Sequence, residues 1–153
     1  ALACNPKVLI ADEPTTALDV TVQAQILDLM RQLKTRTGAA IILITHDLGI
    51  VAEMCRNMVV MYAGRIVESG PSAQVFASPR HPYTAGLINS SPRHARKGER
   101  LPSIPGLVPP PGQREKGCIF ADRCPRVQER CHREAPPLVP VSSRVFACWN
   151  PVP

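Results

Sequence analysis

The sequence lacks a long apolar run and an export signal. No apolar stretch approaches the roughly 20 residues that a helix needs to cross a bilayer. The start, ALACNPKVLIADEP, has neither the basic head nor the cleavage site of a signal peptide. We therefore expect a soluble chain that is not exported. An initiator Met is also missing, and we interpret the 153 residues as a fragment of a longer protein.

Charge, proline and cysteine divide the chain into regions of different composition. The first 90 residues hold 7 Lys and Arg against 7 Asp and Glu, whereas the last 63 hold 11 against 5. Twelve of the 17 prolines and four of the six cysteines also lie after residue 90. We predict one domain over 1–90, a Pro-rich basic linker over 91–117 and a Cys-rich extension over 118–153.

Apolar patterning predicts alternating strands and helices in the first region. Short apolar runs at 7–12 and 40–44 are typical of strands buried on both faces of a parallel sheet. We further predict helices over 20–37, 48–55 and 72–78, and a hairpin over 58–69 with its turn at Ala63–Gly64. This order predicts an α/β layered domain with a mainly parallel sheet.

The helix over 20–37 has an apolar stripe and a signal at each end. Asp19 can cap its first turn, and Gly38 can end it in the left-handed conformation. The stripe, spaced by four, three and four residues as in an amphipathic helix, consists of Val22, Ile26, Leu29 and Leu33.

Polar residues follow both predicted parallel strands. Asp12 and Glu13 end the first strand, and Thr45-His46-Asp47 follows the second. Ligands of such sheets bind beyond the carboxyl ends of the strands. There, one acid can hold Mg²⁺ on a nucleotide, its neighbour can orient an attacking water, and the histidine can contact the terminal phosphate.

Two of these motifs resemble those of a known ATPase family. VLIADEPTTALD at 8–19 is similar to the Walker B strand, catalytic Glu and D-loop of ABC transporter nucleotide-binding domains, and ITHD at 44–47 is similar to their H-loop. The resemblance implies the C-terminal part of a P-loop, ABC-type domain that uses ATP and Mg²⁺. In it, Asp12 would support Mg²⁺, Glu13 would act on the attacking water, His46 would contact the γ-phosphate, and Asp19 would communicate across a dimer of such domains.

The phosphate-binding motifs of that family do not occur in the sequence. There is no G-x-x-x-x-G-K-[ST] phosphate loop, no Q-loop in its place and no Leu-Ser-Gly-Gly signature. The backbone N–H groups and lysine that grip phosphates are therefore missing, and we expect the fragment alone not to hydrolyse ATP.

The linker is rich in proline, and the extension has four closely spaced cysteines. LPSIPGLVPPPG predicts a semi-rigid extended spacer that is either a plain linker or a docking segment. The extension has few large apolar residues, so we expect something other than a core to organise it. Its cysteines, separated by gaps of 5, 6 and 16 residues, are Cys118, Cys124, Cys131 and Cys148.

The four cysteines could form disulfides, a zinc site or an iron–sulfur cluster. Disulfides suit an exported domain, whereas a cytosolic ATPase works in a reducing compartment where metal binding is favoured. Four thiolates suit either a Zn²⁺ ion or a [4Fe–4S] cluster. The wide gaps and the Pro after Cys124 favour the cluster; His132 could replace Cys131 as a ligand.

The whole chain resembles one subgroup of ABC ATPases. TTALDVTVQAQIL, MYAGRIVESG, HPYT and GCIFADRCP are together similar to the peptide and nickel importers, most of all to dipeptide/oligopeptide D subunits. Some members bind an iron–sulfur cluster through C-terminal cysteines. The resemblance implies a peripheral protein at the cytoplasmic face of the membrane, paired with a second ATPase subunit. Two membrane-spanning permease subunits and an extracytoplasmic solute-binding protein would complete the assembly.

Two alternatives remain at this point. The solute could be nickel instead of a di- or oligopeptide. Alternatively, a non-transport ABC ATPase could carry a basic Cys₄ zinc tail that binds nucleic acid. The scattered arginines and few aromatics of the tail argue against the second, and we expect no nucleic acid partner.

Overall fold

The computed structural model describes residues 2–91, 101–110 and 116–153. The chain divides into two compact units, which we call the first unit (Ala1–Cys55) and the second unit (Arg56–Pro153). Within the described ranges, no helix is long and apolar enough to cross a membrane.

The first unit alternates strands and helices in the predicted order. Its elements are β1 (Val8–Asp12), α1 (Val20–Thr37), β2 (Ala40–Ile44) and α2 (Leu48–Met54). β1 and β2 pair in parallel, with Asp12 opposite Ile44. The carboxyl ends of both strands therefore lie at the same edge of this small sheet.

Both predicted ends of α1 are confirmed. The Asp19 carboxylate accepts hydrogen bonds from the N–H groups of Thr21 and Val22, at 3.0 and 2.9 Å. At the other end, Gly38 has a φ of 67° and donates its N–H to the Lys34 carbonyl. The helix thus begins and ends where its capping residues satisfy the free backbone groups.

The buried face of α1 differs from the predicted stripe. Leu29 is 56% exposed, whereas Leu27 and Met30 are buried. The other three stripe residues are half-buried. The buried face is therefore rotated toward Leu27 and Met30, because several apolar residues surround this helix and their spacing alone does not fix the centre of the face.

The prediction that β1 and β2 are buried on both faces is wrong for the described chain. Val8, Ile10, Ile42 and Ile44 are all exposed, and the register places them on one face. Among the described residues these strands pair only with each other. One face of the two-stranded sheet is consequently open.

The second unit is built on an antiparallel sheet of order β3-β4-β6-β5. The mainly parallel sheet that we predicted is therefore limited to the first unit. The second unit comprises β3 (Asn57–Tyr62), β4 (Arg65–Pro71), α3 (Ser72–Ala77), α4 (Pro82–Asn89), a 3₁₀ turn (Ala121–Arg123), α5 (Glu129–Arg133), β5 (Val139–Val141) and β6 (Arg144–Phe146).

The antiparallel arrangement begins with the predicted hairpin. Its two-residue turn has φ values of 44° at Ala63 and 78° at Gly64. Positive φ at both central residues matches the right-handed twist of the strands, and so short a turn can only join antiparallel strands. On the other edge of β4, Glu68 lies opposite Phe146 of β6. The Cys-rich extension therefore shares a sheet with residues of the region predicted as 1–90.

A core of aromatic residues also joins these regions. Phe120 is 1% exposed, and its ring centroid lies 5.2 Å from that of Tyr62 and 5.4 Å from that of Tyr83. The buried imidazole of His81 lies 5.7 Å away on the same measure. The expectation that something other than a core organises the extension is therefore incomplete, because buried residues of the extension, Phe120 and Phe146 among them, belong to a shared core.

Part of the predicted linker is docked. Residues 101–110 form no helix or strand, in agreement with the extended spacer. Arg123 donates hydrogen bonds to the carbonyls of Ile104 (3.0 Å) and Pro105 (2.8 Å). A Cβ on Gly86 of α4 would lie 2.9 Å from Ile104, so the two pack closely. The docking alternative therefore holds for this stretch, while the predictions for 92–100 and 111–115 lie outside the described residues.

Candidate functional site

The structure brings Glu13 and His46 together at the carboxyl ends of β1 and β2. The Glu13 N–H donates to the Ile44 carbonyl at 2.9 Å, which fixes the backbone just beyond β1. The Glu13 Oε1 then lies 3.2 Å from the His46 Nδ1. On its other oxygen, the carboxylate accepts a 2.9 Å hydrogen bond from the Thr16 hydroxyl.

These contacts favour the ionised form of Glu13. The hydrogen bond from Thr16 lowers the pKa of Glu13, and His46 lowers it further. Glu13 also has a φ of 45°, in the left-handed region that non-glycine residues rarely adopt. Such strain is often found at functional sites, where the surrounding structure holds one residue in a defined orientation. The arrangement presents a charged acceptor beside an imidazole, and both side chains are exposed.

The two remaining residues predicted for the nucleotide site are Asp12 and Asp19. Asp12 is adjacent to Glu13, whereas Asp19 caps α1. Asp12 is the last residue of β1, and no hydrogen bond of its side chain occurs among the described residues. Asp19 uses a carboxylate oxygen to cap α1. No contact joins Asp19 to Glu13 or His46 in the described chain.

Capping also fixes the position of His46. The next residue, Asp47, caps α2 by accepting hydrogen bonds from Gly49 N–H (2.7 Å) and Ile50 N–H (3.3 Å). The backbone on either side of His46 is thereby held between β2 and α2. Thr16, which donates to Glu13, was not among the predicted site residues. Its position three residues after the glutamate permits this hydrogen bond and could have indicated it.

In the second unit, the polypeptide brings the four tail cysteines into one region. The Cys118 N–H donates to the Cys131 carbonyl at 2.7 Å, which joins the start of the extension to α5. Between them, the 3₁₀ turn ends at Cys124. Cys148 follows two residues after β6. Each cysteine therefore comes from a different local element.

The four thiols are close enough to affect one another. Burial raises the pKa of Cys118, Cys124 and Cys148, the last to about 11. The Cys131 thiol raises all three further, and Cys118 and Cys124 act in the same direction on Cys148. All six cysteines are free. Without a cation, ionising these grouped thiols is unfavourable.

A metal centre is not formed by the described residues as they stand. Within the described ranges, no group of three or more His, Cys, Asp or Glu residues is arranged to hold a metal ion. Binding of either a Zn²⁺ ion or a [4Fe–4S] cluster therefore stays a prediction. So does the replacement of Cys131 by His132 as a ligand.

A buried ion pair in the second unit has no counterpart in the sequence analysis. Glu68 is fully buried, and its carboxylate pairs with Arg144 of β6. It also accepts hydrogen bonds from the backbone N–H groups of Arg80 (2.9 and 3.1 Å) and His81 (2.9 Å). One carboxylate thus joins β4, the segment before α4 and the extension. Nothing in MYAGRIVESG marks Glu68 as buried, because a glutamate in a strand is usually solvent-exposed.

Most described arginines of the extension have partners within the chain. Arg123 bonds to the docked linker and to the Tyr62 hydroxyl, and Arg126 bonds to Asn150. Arg130 and Arg133 pair with glutamates one helical turn away. The positive charge of this region is therefore largely committed to internal contacts.

A cavity of about 360 Å³ lies within the second unit. Its lining includes Arg65 of β4, His81 and Cys118, and most of the other lining residues are apolar. Of the residues that the structure describes, no acidic one contributes to the lining.

The chain is similar to components of peptide importers. Residues 67–131 match the family described as the oligopeptide/dipeptide transporter, C-terminal region. A putative peptide import ATP-binding protein of Brucella ovis is 56% identical over 148 residues, which cover 93% of this chain and 44% of that protein.

Two transport ATP-binding proteins show comparable similarity. The dipeptide transport protein DppD of Escherichia coli is 51% identical, covering 90% of this chain and 42% of DppD. The oligopeptide transport protein OppD of Salmonella typhimurium is 53% identical, covering 99% of this chain and 45% of OppD.

One solved structure is also similar. It is cbiO1 from Clostridium perfringens, part of the ABC transporter complex cbiONQ, which is 43% identical in sequence. The alignment covers 47% of this chain and 29% of the cbiO1 chain, with a TM-score of 0.44. The chain spans less than half the length of the relatives named here.

Proposed function

We propose that this chain belongs to an ATPase subunit that powers import of di- or oligopeptides. The premise is its similarity, over at least 90% of its length, to ATP-binding proteins of peptide importers. The match of residues 67–131 to the oligopeptide/dipeptide transporter C-terminal region supports peptides over nickel as the solute. The internal pairing of arginines in the extension argues against a nucleic acid tail.

The observation that carries the proposal is the 3.2 Å contact between Glu13 Oε1 and His46 Nδ1 at the common edge of β1 and β2. Ionised Glu13 would accept a hydrogen bond from the attacking water and orient it. His46, held beside it, would contact the terminal phosphate of ATP. Thr16 would keep the Glu13 carboxylate ionised and in place, since it bonds the oxygen that His46 does not contact.

The residues present also fit a Mg²⁺ ion on the nucleotide. Mg²⁺ prefers carboxylate and phosphate oxygens and would neutralise charge on the phosphates. Asp12 would support it, because this carboxylate ends β1 beside Glu13 and is not used in a hydrogen bond among the described residues. Asp19 would reach the second ATPase subunit while it caps α1.

Replacement of Glu13 tests the catalytic assignment. In the complete importer, Glu13→Gln should lower ATP turnover and ATP-driven peptide uptake by at least about 100-fold and leave ATP binding unchanged. Glu53→Gln is the matched control, because Glu53 is an exposed glutamate of the same unit that pairs with Arg31. Turnover that survives in the Glu13 variant would refute the assignment.

The complex in which this subunit works follows from the same premise. We place it at the cytoplasmic face of the membrane with a second ATPase subunit, two permease subunits and an extracytoplasmic solute-binding protein. Purification of the complete, tagged subunit from membranes should recover both permease subunits. Recovery of a free subunit under conditions that preserve other importers would count against this assembly.

For the extension, the proposal includes a [4Fe–4S] cluster on Cys118, Cys124, Cys131 and Cys148. Support comes from the mutual effect of the four thiols on their pKa values and from the wide spacing of the cysteines in the sequence. A cluster needs its ligands grouped but further apart than the ligands of one zinc ion. Arg65 and Arg126 would offset its negative charge, since they lower the pKa of Cys118 and Cys124 respectively. When bound, the cluster would cross-link four segments and could carry an electron.

Metal analysis separates the two possible groups. Protein purified without oxygen should contain about four iron and four acid-labile sulfide per chain, and Cys124→Ser should lose both. Cys55→Ser is the control, because Cys55 lies in the first unit. About one zinc per chain without sulfide would instead identify a zinc site.

A further inference from the structure

A buried histidine lines the cavity of the second unit. His81 is 1% exposed and lines this cavity. Its Nδ1 accepts a 3.1 Å hydrogen bond from the Tyr83 N–H. No acceptor for its other ring nitrogen occurs among the described residues.

The protonation state of His81 follows from its surroundings. Burial lowers its pKa to about 4, although the nearby Glu68 acts in the opposite direction. The ring is therefore neutral at pH 7. Since Nδ1 accepts a hydrogen bond, the single ring proton resides on Nε2. A carboxylate that accepts this proton would form a charge-assisted hydrogen bond with the ring.

A positive charge lies at the same cavity. Arg65 lines it, and among the described residues its guanidinium has no ion pair or side-chain hydrogen bond. Cys118 lines the same cavity. Among the described residues, no carboxylate lines the cavity.

The remaining walls are apolar. Ile66, Ile119, Pro136 and Leu138 belong to the lining. They come from β4, from the start of the Cys-rich extension and from the segment before β5. A site with apolar walls and a few convergent donors is typical of small-molecule binding, and its volume of about 360 Å³ lies within the usual range.

We propose that this cavity binds a small organic anion, a monocarboxylate with an apolar body. The carboxylate pairs with Arg65 and accepts the His81 Nε2 proton, and the apolar body packs against Ile66, Ile119 and Leu138. The inference does not depend on peptide transport, since all its contacts lie within the second unit. Because Cys118 also lines the cavity, binding is interpreted together with the metal content of the protein.

Octanoate titrated into the ¹⁵N-labelled purified protein tests the site. Binding followed by amide shifts should saturate with a Kd in the low millimolar range or tighter, as expected for a ligand of about ten heavy atoms. The shifts should centre on the cavity lining. Octylammonium, which has the same chain and the opposite charge, should bind at least about tenfold more weakly.

Two variants assign the binding to the proposed donors. Arg65→Gln should weaken octanoate at least about tenfold, and because Arg65 is exposed the fold should be unchanged. Arg133→Gln is the control, since Arg133 pairs with Glu129 and does not line the cavity. His81→Asn should also weaken binding, because asparagine keeps an acceptor for the Tyr83 N–H but has no Nε2 proton. Metal content is measured for each variant, so that altered binding is separated from loss of metal.

Three outcomes would overturn the proposal. They are equal affinity for octanoate and octylammonium, unchanged affinity in Arg65→Gln, and no saturable shift up to about 20 mM octanoate. The last would indicate that water alone satisfies the His81 donor.

Discussion

The buried ion pair between Glu68 and Arg144 makes a quantitative prediction about how the extension is held. Arg144→Met removes the cation and leaves a fully buried carboxylate with only the N–H groups of Arg80 and His81 as partners. Breaking a buried pair from one side costs about 3–5 kcal/mol, because the remaining charge is uncompensated. We therefore expect Arg144→Met to lower the free energy of unfolding by that amount.

A double-mutant cycle separates this effect from general loss of packing. Glu68→Gln removes the negative charge and keeps an oxygen that can accept from the same N–H groups. The double variant, Glu68→Gln with Arg144→Met, should be at least about 2 kcal/mol more stable than the sum of the single effects predicts. No buried charge remains in it.

Urea denaturation followed by tryptophan fluorescence measures these changes. Trp149 is the only tryptophan and lies in the second unit, where its indole N–H bonds to the Glu134 carbonyl at 3.0 Å. With an m-value of about 2 kcal/mol/M, a loss of about 4 kcal/mol moves the midpoint by about 2 M. Arg133→Met, which removes an exposed pair on α5, should change stability by no more than about 1 kcal/mol. A cost below about 1 kcal/mol for Arg144→Met, or full additivity in the double variant, would refute this reasoning.

Three further predictions concern the second unit and its cysteines. The pKa of His81 is about 4 in the folded protein, so the unfolded chain binds a proton on this histidine more readily. The free energy of unfolding should therefore fall by about 3 kcal/mol as the pH drops from 6.5 to 4. A free energy of unfolding that does not change with pH over this window would contradict the lowered pKa of His81. Gly117→Ala should abolish the iron binding that we propose for the four tail cysteines, because its Cβ would lie 2.2 Å from the Cys131 carbonyl oxygen. Gly38→Ala, which introduces only backbone strain, should leave the iron content of the protein unchanged. Phe120→Ala should destabilise the second unit by about 3–5 kcal/mol in thermal unfolding, and a smaller loss would show that the aromatic core does not hold the extension.

The local elements were predictable because their signals are local. Asp19 and Gly38 mark the ends of α1 by satisfying backbone groups within one turn, and Ala63–Gly64 marks a hairpin through its backbone conformation. These interactions involve residues close in sequence. Which apolar residue of α1 is buried was not predictable in the same way, because Leu27 and Leu29 differ only in what lies opposite them.

The candidate sites were predictable to different extents. The order of strands and polar residues placed Glu13 and His46 at one sheet edge, and the structure has them in contact. Whether they act on ATP remains a prediction. Cysteine spacing suggested a metal-binding group of thiols, which stays a prediction, since no such group is formed by the described residues. It carried no information on how the surrounding chain supports that group.

The sequence by itself determined the strand and helix order, the caps and turns, and the motifs that resemble an ATPase. Only the tertiary structure decided that β6 pairs with β4, that Phe120 enters a core with Tyr62, and that Glu68 faces Arg144. The last two contacts join residues separated by 58 and 76 positions. Caps and turns depend on the chemistry of neighbouring residues, whereas a buried charge is tolerated only where distant segments supply its partners, and no local pattern records where those segments meet.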